Sequence, residues 1–173
     1  MALRRSDLAR IGGFAAVADY LADDYQIGAR IASLGLRVHL SDYVVAYFMG
    51  ATTFRGQWNR EVRWLRCTRV SRPLEYPAML LTFSTPLAAT LALATGSSLL
   101  GRWALLISVL VRWLVAWLVT GYSGDQAARR WLIWLPLRDM LSALVWCAGG
   151  LGRSVTWRGE KFRLLPDGRM MCW

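Results

Sequence analysis

Residues 76–101, YPAMLLTFSTPLAATLALATGSSLLG, run for 26 consecutive positions without a charged side chain. An α-helix needs about 20 apolar residues to cross the hydrocarbon core of a bilayer. The stretch therefore predicts a transmembrane helix that starts near Pro77, tolerates a kink at Pro86 and reaches its far end at residues 96–98.

A second apolar stretch, residues 103–122, predicts another transmembrane helix that runs antiparallel to the first. Arg112 lies near its middle, where a charge is costly, so this side chain should face protein or a polar lipid group. Two alternatives remain open at this point. Arg112 either pairs with Asp139 or contacts a lipid headgroup.

The third apolar stretch, residues 131–151, is interrupted by Pro-Leu-Arg-Asp at 136–139. The charged pair Arg138-Asp139 leaves uncharged arms of seven residues (131–137) and twelve residues (140–151), which are too short to cross a bilayer. We expect a broken, re-entrant pair of short helices that buries Arg138 and Asp139 against protein. A simple third crossing is the alternative.

The tail, residues 152–173, is basic and predicts a β-hairpin on the cytoplasmic side. Its strands are expected at 154–157 and 162–165, with a further turn at 166–168. A re-entrant third stretch would let this hairpin dock beside the segment that contains Asp23 and Asp24.

The N-terminal residues 1–56 have the character of a soluble α/β segment. Residues 19–34 have helical spacing and end at Gly35, and residues 36–40 and 43–49 have the patterns of two strands. A parallel sheet needs several βα units, so this segment looks like the end of an α/β domain. His39 has no carboxylate or cysteine at ligand spacing and is interpreted as structural.

Residues 57–75 predict an interfacial amphipathic helix. Arg60 and Arg63 share one face of that helix beside Trp64, and Gln57 precedes them by one turn. Such a face could hold a diphosphate or the polar end of a lipid. The alternative is a basic helix at a membrane surface, where Arg and Trp are common.

Composition supports an integral membrane protein. The 173 residues are 55% hydrophobic with ten Trp and a net charge of +10, which we attribute to headgroup contact and not to nucleic-acid binding. Cys67, Cys147 and Cys172 are widely spaced, with no CxxC and a single histidine, so neither a disulfide framework nor a zinc site is predicted.

The order of LADDYQIG (21–28), REVRW (60–64) and several apolar spans resembles the ceramide glucosyltransferase family of inverting, GT-A type membrane glycosyltransferases. RSDLARIGGF (5–14), ADYLADDY (18–25), WRG (157–159) and FRL (162–164) are most similar to its bacterial branch associated with hopanoid biosynthesis. The resemblance covers nearly the whole chain and corresponds to the C-terminal part of the family.

The resemblance implies roles for six residues. Asp24, the second acid of the acidic pair, would be the base that accepts the proton of the acceptor hydroxyl. Substrate-binding residues would be Asp23, Gln57, Arg60, Arg63 and Trp64. Without the resemblance, Asp23 and Asp24 would be interpreted as an acidic helix start or a solvated turn.

The family pattern also includes an N-terminal membrane anchor and a nucleotide-binding half. That half contains an Asp-x-Asp that holds a divalent metal, Mg or Mn, whereas Asp-x-Asp does not occur in this sequence. The expected fold class is therefore α/β plus membrane helices: the C-terminal remnant of a GT-A domain (1–56), the interfacial helix (57–75), a membrane region (76–151) and the basic tail (152–173).

The expected function is the acceptor-side and membrane half of a glycosyltransferase. It would move a sugar from a UDP-sugar to a membrane lipid such as a hopanoid or ceramide, in a bacterial inner membrane with the active segment facing the cytoplasm. We expect the chain to be a fragment that is inactive alone and that works with a separate N-terminal nucleotide-binding half. The alternative is a small non-catalytic membrane protein or partner subunit that retains the fold of that half.

Overall fold

A computed structural model describes residues 1–45, 50–96, 98–157 and 159–172. The chain is mostly helical and divides into two compact units. The first unit contains both ends of the chain, Met1–Pro73 and Gly149–Trp173, and we call it the two-ended unit. The second, which we call the membrane unit, is Leu74–Ala148.

The two-ended unit contains three α-helices within its described residues. They are α1 (Arg5–Arg10), α2 (Asp23–Ser33) and α3 (Phe54–Ser71), with a 3-10 turn at Phe14–Val17. Buried Ile11, Val17 and Ile27 join α1, this turn and α2 in one small core. α2 begins four residues later than predicted, because residues 19–21 hydrogen-bond to the tail instead of entering the helix.

The tail forms a three-stranded antiparallel sheet in the order β1 (Ser154–Trp157), β2 (Glu160–Leu164) and β3 (Met170–Cys172). The predicted hairpin is confirmed, although β2 begins two residues earlier than expected. The third strand was not predicted. Gly168, at φ +88°, turns the chain so that Met170–Cys172 can pair with β2.

This sheet packs against the N-terminal part of the two-ended unit. Leu21, Val155 and Leu164 form a buried cluster, and the Leu21 N–H donates to the Gly168 carbonyl at 3.1 Å. Met170 N–H donates to the Asp19 carbonyl at 2.7 Å. The tail therefore docks beside the acidic pair, as the sequence predicted.

Two arginines of α3 bind backbone carbonyls of residues 150–154, the segment that leads into β1. Arg66 donates to the carbonyls of Ser154 and Leu151, the latter at 3.1 Å. Arg69 donates to the carbonyls of Gly150 and Gly152, the latter at 2.6 Å. The bond to Gly150 satisfies a carbonyl that the C-terminus of the helix Leu135–Gly150 leaves without an intrahelical partner.

The two strands predicted in the N-terminal part are wrong where they can be assessed. Residues 36–45 contain no strand and their side chains are exposed, while residues 46–49 lie outside the described part of the chain. Alternating polarity favours a strand only if another strand is available to pair with it, and the described residues supply no partner here. The GT-A relationship itself stays a prediction.

The membrane unit consists of α4 (Glu75–Ala78), α5 (Ser84–Ala94), α6 (Leu99–Ser123), α7 (Gln126–Arg130) and most of α8 (Leu135–Gly150). Short 3-10 segments, Met79–Thr82 and Leu132–Trp134, precede α5 and α8. α6 is long and apolar enough to cross a bilayer, which confirms the second predicted transmembrane helix.

The other two apolar stretches differ from their predictions: the first is bent, and the third is not broken. The first stretch consists of two helical segments, Glu75–Thr82 and Ser84–Ala94, which are bent by 69° at a break near Phe83 and not at Pro86. It is therefore a broken span or a re-entrant loop, and its predicted crossing of the membrane stays a prediction. The third stretch, predicted to be broken, continues as Leu132–Gly150, which is long and apolar enough to cross. Pro136 lies in the first turn of α8, where a missing N–H costs no intrahelical hydrogen bond.

Arg112 forms an ion pair within the membrane unit. Its Nε lies 3.0 Å from Asp139 Oδ2 and its Nη2 lies 3.1 Å from Asp139 Oδ1. The Thr85 hydroxyl donates to the same carboxylate at 3.2 Å. The intramolecular pair is thus confirmed and Asp139 is buried, but the expected burial of Arg138 is wrong because that side chain is exposed.

Candidate functional site

A cleft of about 470 Å³ lies between the start of α2 and one face of α3, with β1 contributing Trp157. It belongs entirely to the two-ended unit. Four of the six predicted site residues, Asp23, Asp24, Arg63 and Trp64, line it together. The other lining residues are Leu21, Ala22, Tyr25, Cys67, Thr68, Ser71, Arg72 and Trp157.

The acidic wall of the cleft is the first turn of α2. Asp23 Oδ1 accepts from the Asp24 N–H at 2.9 Å, and Asp24 Oδ1 accepts from the Tyr25 N–H at 2.7 Å. Both side chains are exposed, and Asp24 Oδ2 has no hydrogen bond to any described residue. Asp24 therefore has one oxygen fixed by the helix start and one oxygen free to accept a proton.

The opposite wall combines arginine with aromatic rings. Arg63 Cζ lies 4.4 Å from the ring centroid of Trp157, and Arg72 Cζ lies 5.4 Å from that of Tyr25. Cation–π contacts of this kind orient a guanidinium without neutralising it. Among the described residues Arg63 has no carboxylate within ion-pair distance, so its charge is available to an anionic ligand.

Cys67 lies between these walls. Burial raises the pKa of its thiol to about 11, while nearby Arg63 lowers it and Asp24 raises it. A thiol with this pKa stays protonated at neutral pH, and the thiolate is the nucleophilic form. Cys67 is therefore suited to packing and not to covalent catalysis.

The structure does not bring Gln57 and Arg60 into the cleft. Gln57 Nε2 donates to Glu61 Oε1 at 2.6 Å, and Arg60 donates to Gln57 Oε1, so both are engaged along α3 itself. Arg60 Cζ also lies 6.0 Å from the ring centroid of Trp64. These two residues thus lie outside the cleft, and Arg60 contacts its lining residue Trp64.

Several residues that line the cleft were not predicted from the sequence. Cys67, Ser71 and Arg72 follow Arg63 and Trp64 at helical spacing of four and eight, which was a sufficient signal. Trp157 gave no comparable local signal. It reaches the cleft through the docked tail, nearly a whole chain length from Asp24.

The cleft does not provide the ligand set of a divalent metal. Across residues 1–45, 50–96, 98–157 and 159–172, no three His, Cys, Asp or Glu residues are grouped so as to hold a metal ion. Asp23 and Asp24 supply only two carboxylates, each with one oxygen already accepting a backbone N–H. Mg²⁺ needs near-octahedral oxygen coordination, and these residues do not fit it.

Comparisons with known proteins identify the family of the chain. The family model described as glycosyl transferase family 21 matches residues 1–170. Ceramide glucosyltransferase 1 from Caenorhabditis elegans is 22% identical over 178 residues, a region that covers 97% of this chain. The chain spans 37% of the length of that relative. No solved structure matches the chain significantly.

Proposed function

The chain belongs to glycosyl transferase family 21, and from this premise we propose that it supplies the lipid-acceptor side of an inverting glycosyltransferase. The reaction moves a sugar from a UDP-sugar to the hydroxyl of a membrane lipid. The observation that supports the proposal is the shared cleft, in which Asp24 and Arg63 form facing walls.

In the proposed reaction Asp24 is the general base. The acceptor hydroxyl gives its proton to the free Asp24 oxygen while the hydroxyl oxygen bonds to the anomeric carbon of the sugar. The bond from that carbon to the diphosphate breaks on the opposite face, and the bonding electrons leave with the nucleoside diphosphate. The anomeric configuration is inverted because attack and departure occur on opposite faces.

Arg63 and Arg72 are proposed to stabilise the charge that develops on the leaving diphosphate. Arginine suits this task because its planar fork binds two phosphate oxygens at once. Trp64 and Trp157 would provide flat apolar surfaces for the acceptor or the sugar. Fixed cations lower the barrier most when they are oriented before the reaction, and the stacking of Arg63 on Trp157 provides such an orientation.

The remaining predicted site residues have less direct roles in this proposal. Asp23 accepts the Asp24 N–H and so fixes the first turn of α2. Gln57 and Arg60 are proposed to fix the position of the Trp64 side chain on α3. They would then affect substrate binding indirectly, by positioning Trp64.

The donor side is proposed to come from a nucleotide-binding half outside these 173 residues. The chemistry of the cleft supports this, because no group of three His, Cys, Asp or Glu residues in the described part of the chain could hold a metal ion. The metal of the complete enzyme, Mg or Mn, would then be held by that half. We expect this chain alone to transfer no sugar.

The acceptor class is proposed to be a hydroxylated, uncharged membrane lipid such as a hopanoid or ceramide. The membrane is proposed to be a bacterial inner membrane, with the two-ended unit in the cytoplasm where nucleotide-sugars are made. The apolar helices α6 and α8 support a membrane location. The basic tail supports a cytoplasmic position for the unit that contains it.

The proposal is tested by Asp24→Asn in the complete enzyme that contains this segment. The change keeps the size of the side chain and removes its basicity. We expect kcat to fall by about 10²- to 10⁴-fold, the usual contribution of a general base, with little change in KM for the lipid. Initial rates with a radiolabelled nucleotide-sugar provide the measurement.

Asp23→Asn is the matched control, because it removes the neighbouring carboxylate and leaves Asp24 in place. We expect it to reduce kcat much less than Asp24→Asn does. Retention of more than a tenth of the wild-type rate by Asp24→Asn would refute the assignment. Sugar transfer by this chain alone in detergent would show that the donor half is not required.

A further inference from the structure

A second cavity, of about 660 Å³, lies within the membrane unit. Apolar residues of α6 and of the segment before α8 form most of its wall, among them Leu110 and Ile133. Three arginines also line it: Arg112, Arg129 and Arg130. Its volume is within the range of small-molecule sites, and it is distinct from the cleft that contains Asp24.

The three arginines are not electrically equivalent. Arg112 is neutralised by its bidentate contact with Asp139. Within the part of the chain that the structure describes, neither Arg129 nor Arg130 has a carboxylate at ion-pair distance. The cavity therefore carries two uncompensated positive charges beside an apolar wall.

Arg129 is also held in place. Its Cζ lies 4.8 Å from the ring centroid of Trp117, a cation–π contact that keeps the guanidinium against α6. A fixed cation next to apolar surface, in a unit built from bilayer-spanning helices, is complementary to an amphiphile with an anionic head and an apolar tail.

We propose that this cavity binds a phospholipid with net negative charge. Its phosphate accepts hydrogen bonds from Arg129 and Arg130, and an acyl chain lies against Leu110 and Ile133. Charge complementarity selects this occupant over the acceptor lipid of the proposed reaction, because hopanoids and ceramides carry no charge to match two arginines. The lipid is a bound component of the membrane unit and not a reactant.

Native mass spectrometry of the full chain in detergent provides the test. The protein is mixed with equimolar phosphatidylglycerol and phosphatidylcholine that have identical acyl chains, and the bound lipids are counted. We expect phosphatidylglycerol to predominate by about tenfold or more, and Arg129→Gln or Arg130→Gln each to lower that preference about fivefold, the usual effect of one basic residue beside an anionic headgroup.

Arg102→Gln is the matched control. Arg102 is exposed near the opposite end of α6 and does not line the cavity, so its loss changes net charge equally without changing the proposed site. Arg130→Lys should keep most of the preference. Circular dichroism of each variant verifies folding, which Arg130→Gln should preserve because that side chain is exposed.

Three outcomes would overturn the proposal. Equal binding of phosphatidylcholine would remove the role of the negative headgroup. An equal loss of preference in Arg102→Gln would show that general surface charge is responsible. Thermal stabilisation by glycerol 3-phosphate as large as that by phosphatidylglycerol would identify a site for a free anion and not for a lipid.

Discussion

Arg63 and Arg60 lie one turn apart on α3 but meet different surroundings. Arg63 lines the cleft and stacks on Trp157, whereas Arg60 donates to Gln57 and leaves its Nε buried without a hydrogen-bond partner among the described residues. A motif that contains both arginines cannot distinguish these roles. Only the position of each guanidinium relative to the cleft does so.

We therefore expect Arg63→Gln and Arg60→Gln to differ in the complete enzyme. Arg63→Gln should lower kcat/KM by about 10²- to 10³-fold, as the loss of a charge-stabilising donor does elsewhere. Arg60→Gln should lower it by less than about tenfold, because it removes support and no proposed phosphate contact. Steady-state kinetics at matched expression would make the comparison, and a larger loss in Arg60→Gln would contradict it.

At this scale the sequence predicted part of the cleft lining better than the residues that complete it. Asp24 and Arg63 were predicted through a family resemblance, and they share one cleft. Arg72 and Ser71 could have been predicted from helical spacing along α3. Trp157 could not, because its position depends on the pairing of β1 and the docking of the whole tail.

Among the elements, the α5–α6 hairpin depends on one glycine. A Cβ at Gly101 would lie 2.7 Å from the Ala92 Cα and 2.7 Å from the Thr95 Oγ1. Backbone atoms cannot move aside as a flexible side chain can. The absence of a side chain at Gly101 is therefore what allows the two helices to approach, as small residues do in membrane helix pairs generally.

Gly101→Ala should destabilise the membrane unit, whereas Gly121→Ala in the same helix should not. Overpacking of a tight contact costs about 1–3 kcal/mol, while Gly121 has no atom within 4 Å of the position that a Cβ would take. Unfolding in mixed micelles, followed by circular dichroism as the fraction of SDS increases, would measure both. Equal midpoints for the two variants would contradict the prediction.

The elements that the sequence mispredicted have separate physical causes. Pro136 was interpreted as a helix break, but proline breaks a helix only beyond its first turn, and α8 begins at Leu135. Residues 36–40 alternate like a strand, but alternation does not supply a pairing partner. α6 was predicted because residues 103–122 are apolar except for Arg112, and an apolar run of this length favours a membrane helix without any pairing partner.

For the whole molecule, the presence of both chain ends in the two-ended unit restricts the membrane topology. Arg66 and Arg69 of α3 bind carbonyls of residues 150–154, and Leu21 packs on Val155 and Leu164. A compact unit of this kind lies on one side of a membrane. Residues 74–148 must therefore cross the membrane an even number of times. If α6 crosses, either the bent pair Glu75–Ala94 or α8 crosses as well, but not both.

Single cysteines in a chain without its native thiols would test this restriction in intact cells. We expect Arg37→Cys and Lys161→Cys to be equally protected from an impermeant maleimide, because the two positions belong to the same unit. Gln126→Cys distinguishes the two permitted arrangements. We expect it to be protected, because crossing by the bent pair and α6 keeps Arg129 and Arg130 on the cytoplasmic side.

Labelling of Lys161→Cys but not of Arg37→Cys would contradict the shared position of the two ends. Labelling of Gln126→Cys alone would identify α6 and α8 as the crossing pair. Permeabilised cells, in which all three cysteines should react, provide the control for reactivity.

Because the two-ended unit contains both ends of the chain, it can be completed only when synthesis of the chain is nearly finished. Residues 1–73 leave the ribosome first, yet Leu21 has no Val155 or Leu164 to pack against until the last strands are made. Translation of the intervening residues 74–148 takes on the order of 4–15 s at about 5–20 residues per second. During that interval the nascent N-terminal segment exposes apolar surface, and the wall that Trp157 completes is missing. Synthesis of residues 74–148 must therefore precede the assembly of the cleft.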